Sequence, residues 1–198
     1  MSNPTIAFQG ERGSFSEEAA RRFFGLEIAP EPKRTFPEVF AAVESGAAKF
    51  GVIPVENSLV GSIHQNYDLL LRHNLKIIGE QNQRIVHHLI ANPGVALEQL
   101  TSIHSHPVAL DQCKEYLQKH PKLTVVVEYD TAGSVKLIKE HNMQTACAIA
   151  GSYAAELYEM GILASAIQDE PDNYTRFLIL SQKLAERSER SKTSIVFA

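Results

Sequence analysis

Residues 5–25 read TIAFQGERGSFSEEAARRFFG and place a strand-like run, a loop and a helical pattern in close succession. The first four residues form a short apolar run of the kind that predicts a buried strand. Ser14 followed by Glu17 has the Ser-x-x-Glu pattern of a capping box at a helix start, and Gly25 is typical of a helix end. The stretch therefore predicts a strand followed by a short helix.

The same alternation of strand and helix continues along the chain. Thr35, Pro37 and Glu38 begin a second helix with the same capping pattern. Apolar runs predict strands at residues 50–54, 84–90, 100–103, 123–127, 146–150, 162–167 and 176–180. This alternation predicts an α/β fold with mostly parallel sheets, in which ligands bind at the carboxyl ends of the strands.

The composition is that of a globular protein, because 44% of the 198 residues are hydrophobic and 21% are charged. At roughly 150 residues per domain, the length predicts one large domain or two small lobes. Lys and Arg number 19 against 23 for Asp and Glu, a net charge of −4 without a basic stripe. We therefore expect no nucleic-acid partner.

No apolar run approaches the ~20 residues that span a bilayer, and the N-terminus lacks a secretory signal pattern. We therefore expect a cytoplasmic protein with no membrane partner. Cys113 and Cys147 offer neither a disulfide framework nor a metal-ligand spacing, and we expect two buried, unreactive thiols.

Four histidines raise the possibility of a metal site. His104 and His106 alternate along a predicted strand and could reach one ion, with His87 and His88 as further ligands. No cluster of Cys, Asp or Glu accompanies them, so we favour a polar strand end and expect no metal. Gly-rich phosphate loops and the Gly-x-Ser-x-Gly elbow are absent from the sequence, so nothing indicates nucleotide or hydrolase chemistry.

Polar residues follow the buried strand at residues 50–54. Glu56, Asn57 and Ser58 lead towards a helix, and free backbone N–H groups at such a place can bind an anion. The same residues could instead only satisfy backbone groups at a strand end. Ser14 and Thr131, each at a predicted helix start, admit the same two interpretations.

The segment DEPDNYTRF at residues 169–177 places acids, an amide, a hydroxyl and one arginine at the start of an apolar strand. The guanidinium group of Arg176 is suited to binding a substrate carboxylate through paired N–H groups. An ion pair with a neighbouring acid is the alternative, and the sequence does not decide between the two.

Five motifs give the chain a resemblance to the catalytic domain of prephenate dehydratase, which extends from about residue 5 to residue 180. They are GERGSFSE at 10–17, PVENS with GS at 54–62, SHP with QC at 105–113, TA at 131–132 and NYTRF at 173–177. The resemblance implies an enzyme without metal or cofactor that converts prephenate to phenylpyruvate, water and carbon dioxide. Arogenate dehydratase and a non-catalytic small-molecule binding module are the alternatives.

The resemblance also implies a fold like that of type 2 periplasmic binding proteins, with two α/β lobes around a cleft. We expect lobe 1 at residues 1–78 and 175–182, lobe 2 at residues 79–174, and crossings near residues 76–81 and 173–177. Residues 183–198 would be a linker and the first strand of a truncated ACT module. The family further implies a homodimer.

The resemblance implies site residues as well. Thr175 would assist departure of the substrate hydroxyl, with Glu56 or His106 as the source of the proton. Asn57, Ser105 and Gln112 would complete the catalytic set. The expected substrate-binding residues are Ser14, Ser58, Thr131, Ala132, Asn173, Arg176 and Phe177.

Overall fold

The computed structural model describes residues 3–185 and 192, and strands and helices alternate along this part of the chain. The strands are β1 (Thr5–Gln9), β2 (Ala29–Lys33), β3 (Phe50–Asn57), β4 (Gly61–Ser62), β5 (Lys76–Arg84), β6 (His88–Ala91), β7 (Ser102–Ser105), β8 (Thr124–Val127), β9 (Ala146–Ala150), β10 (Gly161–Ala164) and β11 (Tyr174–Ser181). The α-helices are α1 (Phe15–Phe24), α2 (Phe36–Glu44), α3 (His64–Arg72), α4 (Pro107–Asp111), α5 (Lys114–Lys119), α6 (Thr131–Glu140) and α7 (Ser152–Leu157).

The strands form two sheets, one in each lobe. The first has the order β2-β1-β3-β11-β5 with β4 beside β3, and the second has the order β10-β6-β9-β7-β8. Each sheet contains parallel pairs, such as β1 with β3, and antiparallel pairs, such as β11 with its two neighbours. The expected two-lobed α/β fold is confirmed, although the sheets are mixed and not mostly parallel.

Two strands of the first sheet differ from the sequence prediction. β2 reads APEPK and lies at the sheet edge, where proline is tolerated because only one side of the strand needs hydrogen bonds. β5 reads KIIGEQNQR and lies at the opposite edge of the sheet. Most of its residues are partly exposed, so polar side chains are tolerated along it. Neither strand shows the apolar alternation on which the prediction depended.

The position of β5 moves the crossings between the lobes. β5 continues to residue 84 in the first sheet and β6 begins at residue 88 in the second, so the first crossing lies at residues 85–87 and not at 76–81. The second crossing lies at residues 165–173, before β11 rejoins the first sheet. The predicted ACT strand within residues 183–198 lies almost entirely outside the described residues.

Each sheet is covered by helices on both faces. In the first lobe, Phe177 and Ile179 pack with residues of α1, whereas Leu178 and Leu180 pack with residues of α2 and α3. Successive side chains of a strand point to opposite faces, so this pattern determines which residues of β11 can reach the cleft beside α1. None of the helices in the described part of the chain is both long and apolar enough to cross a membrane.

Candidate active site

A cavity of about 280 Å³ lies in the cleft, and both lobes contribute to its walls. Its polar lining consists of Asn57, His87, His106, Gln112, Thr131 and Thr175. Apolar side chains, which include Phe15, Val60, Val108 and Phe177, form most of the remaining wall. Within the described residues no carboxylate lines the cavity. A mostly apolar cavity with a few polar groups is typical of a small-molecule site.

Thr175 and Asn57 are register partners on the antiparallel strands β11 and β3. Asn57 Nδ2 donates to Thr175 Oγ1 at 3.0 Å and to Asn173 Oδ1 at 2.7 Å. Asn57 Oδ1 accepts from the backbone N–H groups of Leu59 and Val60, which identifies the oxygen end of the amide. Because Thr175 Oγ1 accepts a hydrogen bond from Asn57, the hydroxyl proton of Thr175 remains available for a ligand.

The hydrogen bonds continue from the first lobe into the second. Asn173 is fully buried, and its Nδ2 donates to Gln112 Oε1 at 2.9 Å. His87 Nε2 lies 2.9 Å from the same oxygen. Two donors therefore occupy Gln112 Oε1, and the Nε2 amide group of Gln112 has no partner among the described residues. We call the side chains of Thr175, Asn57, Asn173, Gln112 and His87 the amide network.

Ser58, predicted to bind substrate, braces the second crossing instead. Its Oγ donates to the backbone carbonyl of Asp172 and accepts from the backbone N–H of Tyr174, both at 3.0 Å. Ser58 lies at a separate pocket with Glu56 and Arg176. The Ser58 hydroxyl thus fixes the backbone at the start of β11, next to Thr175.

Glu56 and Arg176 lie on the face of the first sheet opposite to Thr175, and this corrects two expectations. They are register partners on β3 and β11, and both line the separate pocket and not the cavity. Arg176 Nη2 lies 2.7 Å from Glu80 Oε2, so the ion-pair alternative is observed, with an acid from β5. Neighbouring residues of a strand point to opposite faces, which separates Arg176 from Thr175.

The segment between β7 and α4 places its two predicted site residues differently. Ser105 is fully buried and its Oγ donates to the carbonyl of Ile149 at 2.7 Å, so it supports the sheet and does not reach the cavity. His106 lines the cavity, and its Nδ1 accepts from the backbone N–H of Val108 at 3.2 Å. Burial lowers the pKa of His106, so the ring is neutral near pH 7 and carries its proton on Nε2.

The predicted helix starts are confirmed in position but not in detail. Ser14 Oγ accepts from the backbone N–H of Glu17, yet the Glu17 carboxylate does not return to the Ser14 backbone, so only half of the capping box forms. Asp130 and not Thr131 caps α6, since its Oδ1 accepts from the Gly133 N–H at 2.7 Å. Thr131 is the first helical residue, and its side chain lines the cavity.

The starts of α1 and α6 approach each other across the cleft. A Cβ atom built on Gly10 would lie 2.8 Å from Asp130 Oδ2 and 3.5 Å from the Cβ of Ser14. Gly10 also has a φ of +110°, so glycine is needed there both for backbone shape and for the close approach. Ser14 is buried at the helix start, and Ala132 is buried in the core of the second lobe, so neither lines the cavity.

Glu17 is fully buried and lies at the centre of a second polar contact between the lobes. Its carboxylate accepts from Arg12 Nε, Gly13 N and Arg21 Nη2, each at 2.9 Å, and from the Tyr153 hydroxyl of α7 at 3.0 Å. Burial raises the pKa of Glu17, but the hydrogen bonds from Arg12, Gly13 and Arg21 outweigh burial, and the pKa is lowered. The carboxylate is therefore ionised at neutral pH.

Glu11 extends this contact. It accepts from Lys136 Nζ at 3.0 Å and from the Tyr129 hydroxyl at 2.8 Å, and both partners belong to the second lobe. We call the ionic side chains that join the lobes here the charged cluster; its members are Glu11, Arg12, Glu17, Arg21 and Lys136. Sequence reasoning assigned Glu17 only a capping role and did not identify the cluster.

The histidines and cysteines outside the network have local roles. His104 is buried, with Nδ1 3.1 Å from Glu128 and Nε2 3.1 Å from the Ser102 hydroxyl, and it does not line the cavity with His106. Within residues 3–185 and 192, no group of three or more His, Cys, Asp or Glu residues could hold a metal ion. Both cysteines are buried, and burial raises the pKa of each thiol to about 12.

His87 is the polar cavity residue that sequence reasoning missed. The sequence suggested it only as a weak metal ligand beside His88. Its position in the crossing between the lobes was not predictable, because the crossing itself was predicted several residues too early. The site residues that were predicted from the sequence and that do line the cavity are Asn57, His106, Gln112, Thr131, Thr175 and Phe177.

Comparison with known proteins gives a consistent result. The family model described as "PDT: Prephenate dehydratase" matches residues 6–185. "Arogenate dehydratase/prephenate dehydratase 2, chloroplastic" from Arabidopsis thaliana is 45% identical over 98% of this chain and 51% of its own length. "Bifunctional chorismate mutase/prephenate dehydratase" from Pseudomonas aeruginosa is 38% identical over 96% of this chain and 52% of its own length. The chain thus spans about half the length of these relatives.

Two solved structures are also similar. Prephenate dehydratase in complex with L-Phe from Arthrobacter aurescens has 30% identity and a TM-score of 0.84, covering 93% of this chain and 63% of that one. A structure described as "GqqA- a novel type of quorum quenching acylases" has 36% identity and a TM-score of 0.83, covering 94% of this chain and 67% of that one.

Proposed function

The chain belongs to the prephenate dehydratase family, and from this membership we propose that it converts prephenate to phenylpyruvate, water and carbon dioxide. The observation that carries the proposal is the Thr175 hydroxyl, which lines the cavity and accepts from Asn57. Its proton is consequently free to be donated to an oxygen atom of a bound ligand.

The chemistry of the substrate explains why such a donor is useful. Prephenate is a cyclohexadiene with a hydroxyl at one ring carbon and a carboxylate at the opposite one. As carbon dioxide leaves, the electron pair of its C–C bond enters the ring, and the C–O bond breaks to complete the aromatic system. The oxygen takes up one proton and departs as water. A positioned donor typically accelerates such a step by about 10²–10⁴-fold.

Thr175 is the group that hydrogen-bonds the departing oxygen in this proposal. A threonine hydroxyl is a weak acid, so the proton that the oxygen finally takes comes from elsewhere. Of the two proton sources expected from the sequence, His106 lines the cavity and Glu56 does not. His106 is neutral and its Nδ1 accepts from the Val108 N–H, so the ring cannot replace a proton lost from Nε2. In this proposal His106 Nε2–H therefore hydrogen-bonds the departing oxygen, which takes its proton from solvent water.

Substrate carboxylates fit the charge of the cavity wall. Thr131 is the first residue of α6, and its hydroxyl lines the cavity and can donate to a carboxylate oxygen, whereas the Gly133 N–H of the same helix start is taken by Asp130. No carboxylate of the described residues lines the cavity to repel an anion. The amide N–H groups of Gln112 supply a further donor.

Arogenate is the second candidate substrate, because several relatives with 44–46% identity are named arogenate dehydratases. Arogenate carries an ammonium group where prephenate carries a keto group. An ammonium group in this cavity would lack a carboxylate partner among the described residues. We therefore propose that prephenate is the preferred substrate.

The test is turnover of both acids by the purified chain, measured as kcat/KM. Phenylpyruvate from prephenate is detected by its absorbance in base, and phenylalanine from arogenate is detected by chromatography. We expect turnover of prephenate, and we expect Thr175→Val to lower kcat by about 10²–10⁴-fold with little change in KM. Thr175→Ser, which keeps the hydroxyl, should retain most activity. Binding of prephenate without any turnover would instead support a binding module.

Two predictions from the sequence accompany this proposal. We propose a homodimer and a cytoplasmic location, the latter in contrast to the plant relatives whose names include "chloroplastic". Analytical ultracentrifugation at several concentrations tests the first, and a monomer at every concentration would refute it.

A further inference from the structure

His87 lies in the first crossing between the lobes and is only 2% exposed. Its backbone N–H donates to Gln168 Oε1 at 3.0 Å, and its ring meets the ring of Phe15 edge-on, with the centroids 5.7 Å apart. Nε2 lies 2.9 Å from Gln112 Oε1. Nδ1 is buried and has no hydrogen-bond partner among the described residues.

The protonated nitrogen of His87 follows from a chain of hydrogen bonds that begins at the backbone. The N–H groups of Leu59 and Val60 can only donate, so the atom of Asn57 that faces them is its oxygen. The amide nitrogen of Asn57 therefore faces Asn173, which must present its own oxygen there. Each amide in turn determines the orientation of the next.

Asn173 then donates from its amide nitrogen to Gln112, so the atom of Gln112 that accepts must be its oxygen. That oxygen also faces His87 Nε2, and an amide oxygen can only accept. His87 consequently carries its proton on Nε2, and Nδ1 holds a lone pair. The tautomer of His87, in the crossing between the lobes, is thus determined by backbone groups in the first lobe.

The orientation of Gln112 depends on both of its donors. Turning the Gln112 amide over would place an NH₂ group against the NH₂ group of Asn173 and against the N–H of His87. With both donors in place, the free end of Gln112 at the cavity is its NH₂ group. Prephenate presents hydroxyl, keto and carboxylate oxygens, and an amide donor can bind any of them.

We propose that His87 is a positioning residue for the dehydratase reaction, acting through Gln112. Its neutral Nε2–H occupies the Gln112 oxygen and keeps the amide donor directed at the substrate, while Asn173 joins Gln112 to the Asn57–Thr175 pair. The effect on turnover rests on the proposed function, whereas the tautomer of His87 does not.

The surroundings of His87 favour the neutral ring. Burial lowers the pKa of His87 and the adjacent His88 lowers it further, although the hydrogen bond to Gln112 acts in the opposite direction. His106 is the other titratable residue of the cavity, and Asp169 reaches Gln112 only through its backbone N–H. Glu18 on α1 raises the pKa of His88 but does not affect the pKa of His87.

Nitrogen-15 NMR of histidine-labelled protein tests the tautomer directly and needs no substrate. We expect the His87 ring to show a protonated Nε2 and an unprotonated Nδ1 from about pH 8 down to about pH 7. A His87→Gln sample identifies the signal. A proton on Nδ1 at pH 8, or an imidazolium signal within that range, would overturn the proposal even if the chain turns over prephenate.

Turnover by variants tests the positioning role. His87→Phe keeps an aromatic ring but removes the N–H donor. We expect kcat to fall by about 10-fold or more, as for the loss of one hydrogen bond in the transition state. His87→Gln offers an amide N–H towards Gln112 and should recover part of this loss. His88→Phe is the matched control, with kcat within about 3-fold of wild type.

The outcomes separate the two proposals. A His87→Phe protein that is folded, as judged by its melting temperature, and that has the kcat of wild type would refute the positioning role. If His87→Phe does not fold, a His87→Gln protein with no more activity than Thr175→Val would refute it, as would the NMR result above. If the wild-type chain does not turn over prephenate, the proposed function fails, and the NMR experiment still decides the tautomer.

Discussion

The charged cluster and the amide network both connect the two lobes, but they do so with different chemistry. The charged cluster consists of ion pairs. Its arginine and lysine side chains remain partly exposed, which lowers the desolvation cost of these charges. The amide network lies at the cavity and contains amides, a hydroxyl and a neutral imidazole.

The difference shows how structural and chemical tasks are divided within one cleft. A buried carboxylate with several donors is strongly bound, so the charged cluster is suited to holding the lobes together. Neutral amides contribute less energy, but their fixed donor and acceptor ends orient each other without placing a charge beside the proposed anionic substrate. Variants can therefore separate effects on stability from effects on turnover.

The largest effect expected on stability lies in the charged cluster. Glu17→Gln leaves Arg12 and Arg21 without a carboxylate, and we expect the free energy of unfolding to fall by about 3 kcal/mol, the lower end for a broken buried pair. Denaturant unfolding measures this. Glu18→Gln, which breaks the more exposed pair with Arg22, is the control and should lower the free energy of unfolding by less than about 1 kcal/mol.

The same substitution predicts a pH dependence. The pKa of Glu17 is lower in the folded chain than its ordinary value of 4.5, so its stabilisation is complete above pH 4.5 and is lost as pH falls through the folded pKa. The difference in unfolding free energy between wild type and Glu17→Gln should therefore be constant near neutrality and shrink below pH 4.5. A difference that does not change with acidity would contradict the assignment.

A smaller effect, on turnover, is expected in the amide network. Asn173→Asp replaces the NH₂ group that faces Gln112 with a carboxylate oxygen, so two acceptors meet and a charge enters the site. We expect kcat/KM for prephenate to fall by roughly 30-fold, about 2 kcal/mol. Asn82→Asp adds the same charge at the separate pocket on the far face, and kcat/KM should change by less than about 3-fold.

The smallest effect is expected at Arg176, next to Thr175 in sequence. Arg176 and Glu80 are partly exposed, so Arg176→Gln should lower the unfolding free energy by only about 1 kcal/mol and kcat by less than about 3-fold. The steep loss expected for Thr175→Val makes this a comparison of two neighbouring residues on opposite faces. A comparable loss of kcat in both variants would show that Arg176 takes part in the reaction.

Local patterns in the sequence predicted several elements well. The capping residues Thr35 and Glu38 do form a complete capping box at the start of α2, and β3 follows as a buried strand. β2 and β5 were missed because edge strands accept proline and polar residues, which removes the periodic signal. Seven of the thirteen expected site residues do not line the cavity, because a sequence motif determines neither the face of a sheet, as for Glu56 and Arg176, nor burial within a lobe, as for Ser105 and Ala132.

The amino-acid sequence alone determined the family, the alternation of strands and helices, and the presence of Asn57, Gln112 and Thr175 among the candidate site residues. These features depend on motifs and on preferences between near neighbours. Only the tertiary structure decided that Thr175 faces the cleft while Glu56 and Arg176 face away, and which nitrogen of His87 carries the proton. Asn57 and Asn173 are 116 residues apart, and their contact exists because β3 pairs with β11 in the first sheet and Asn173 directly precedes β11.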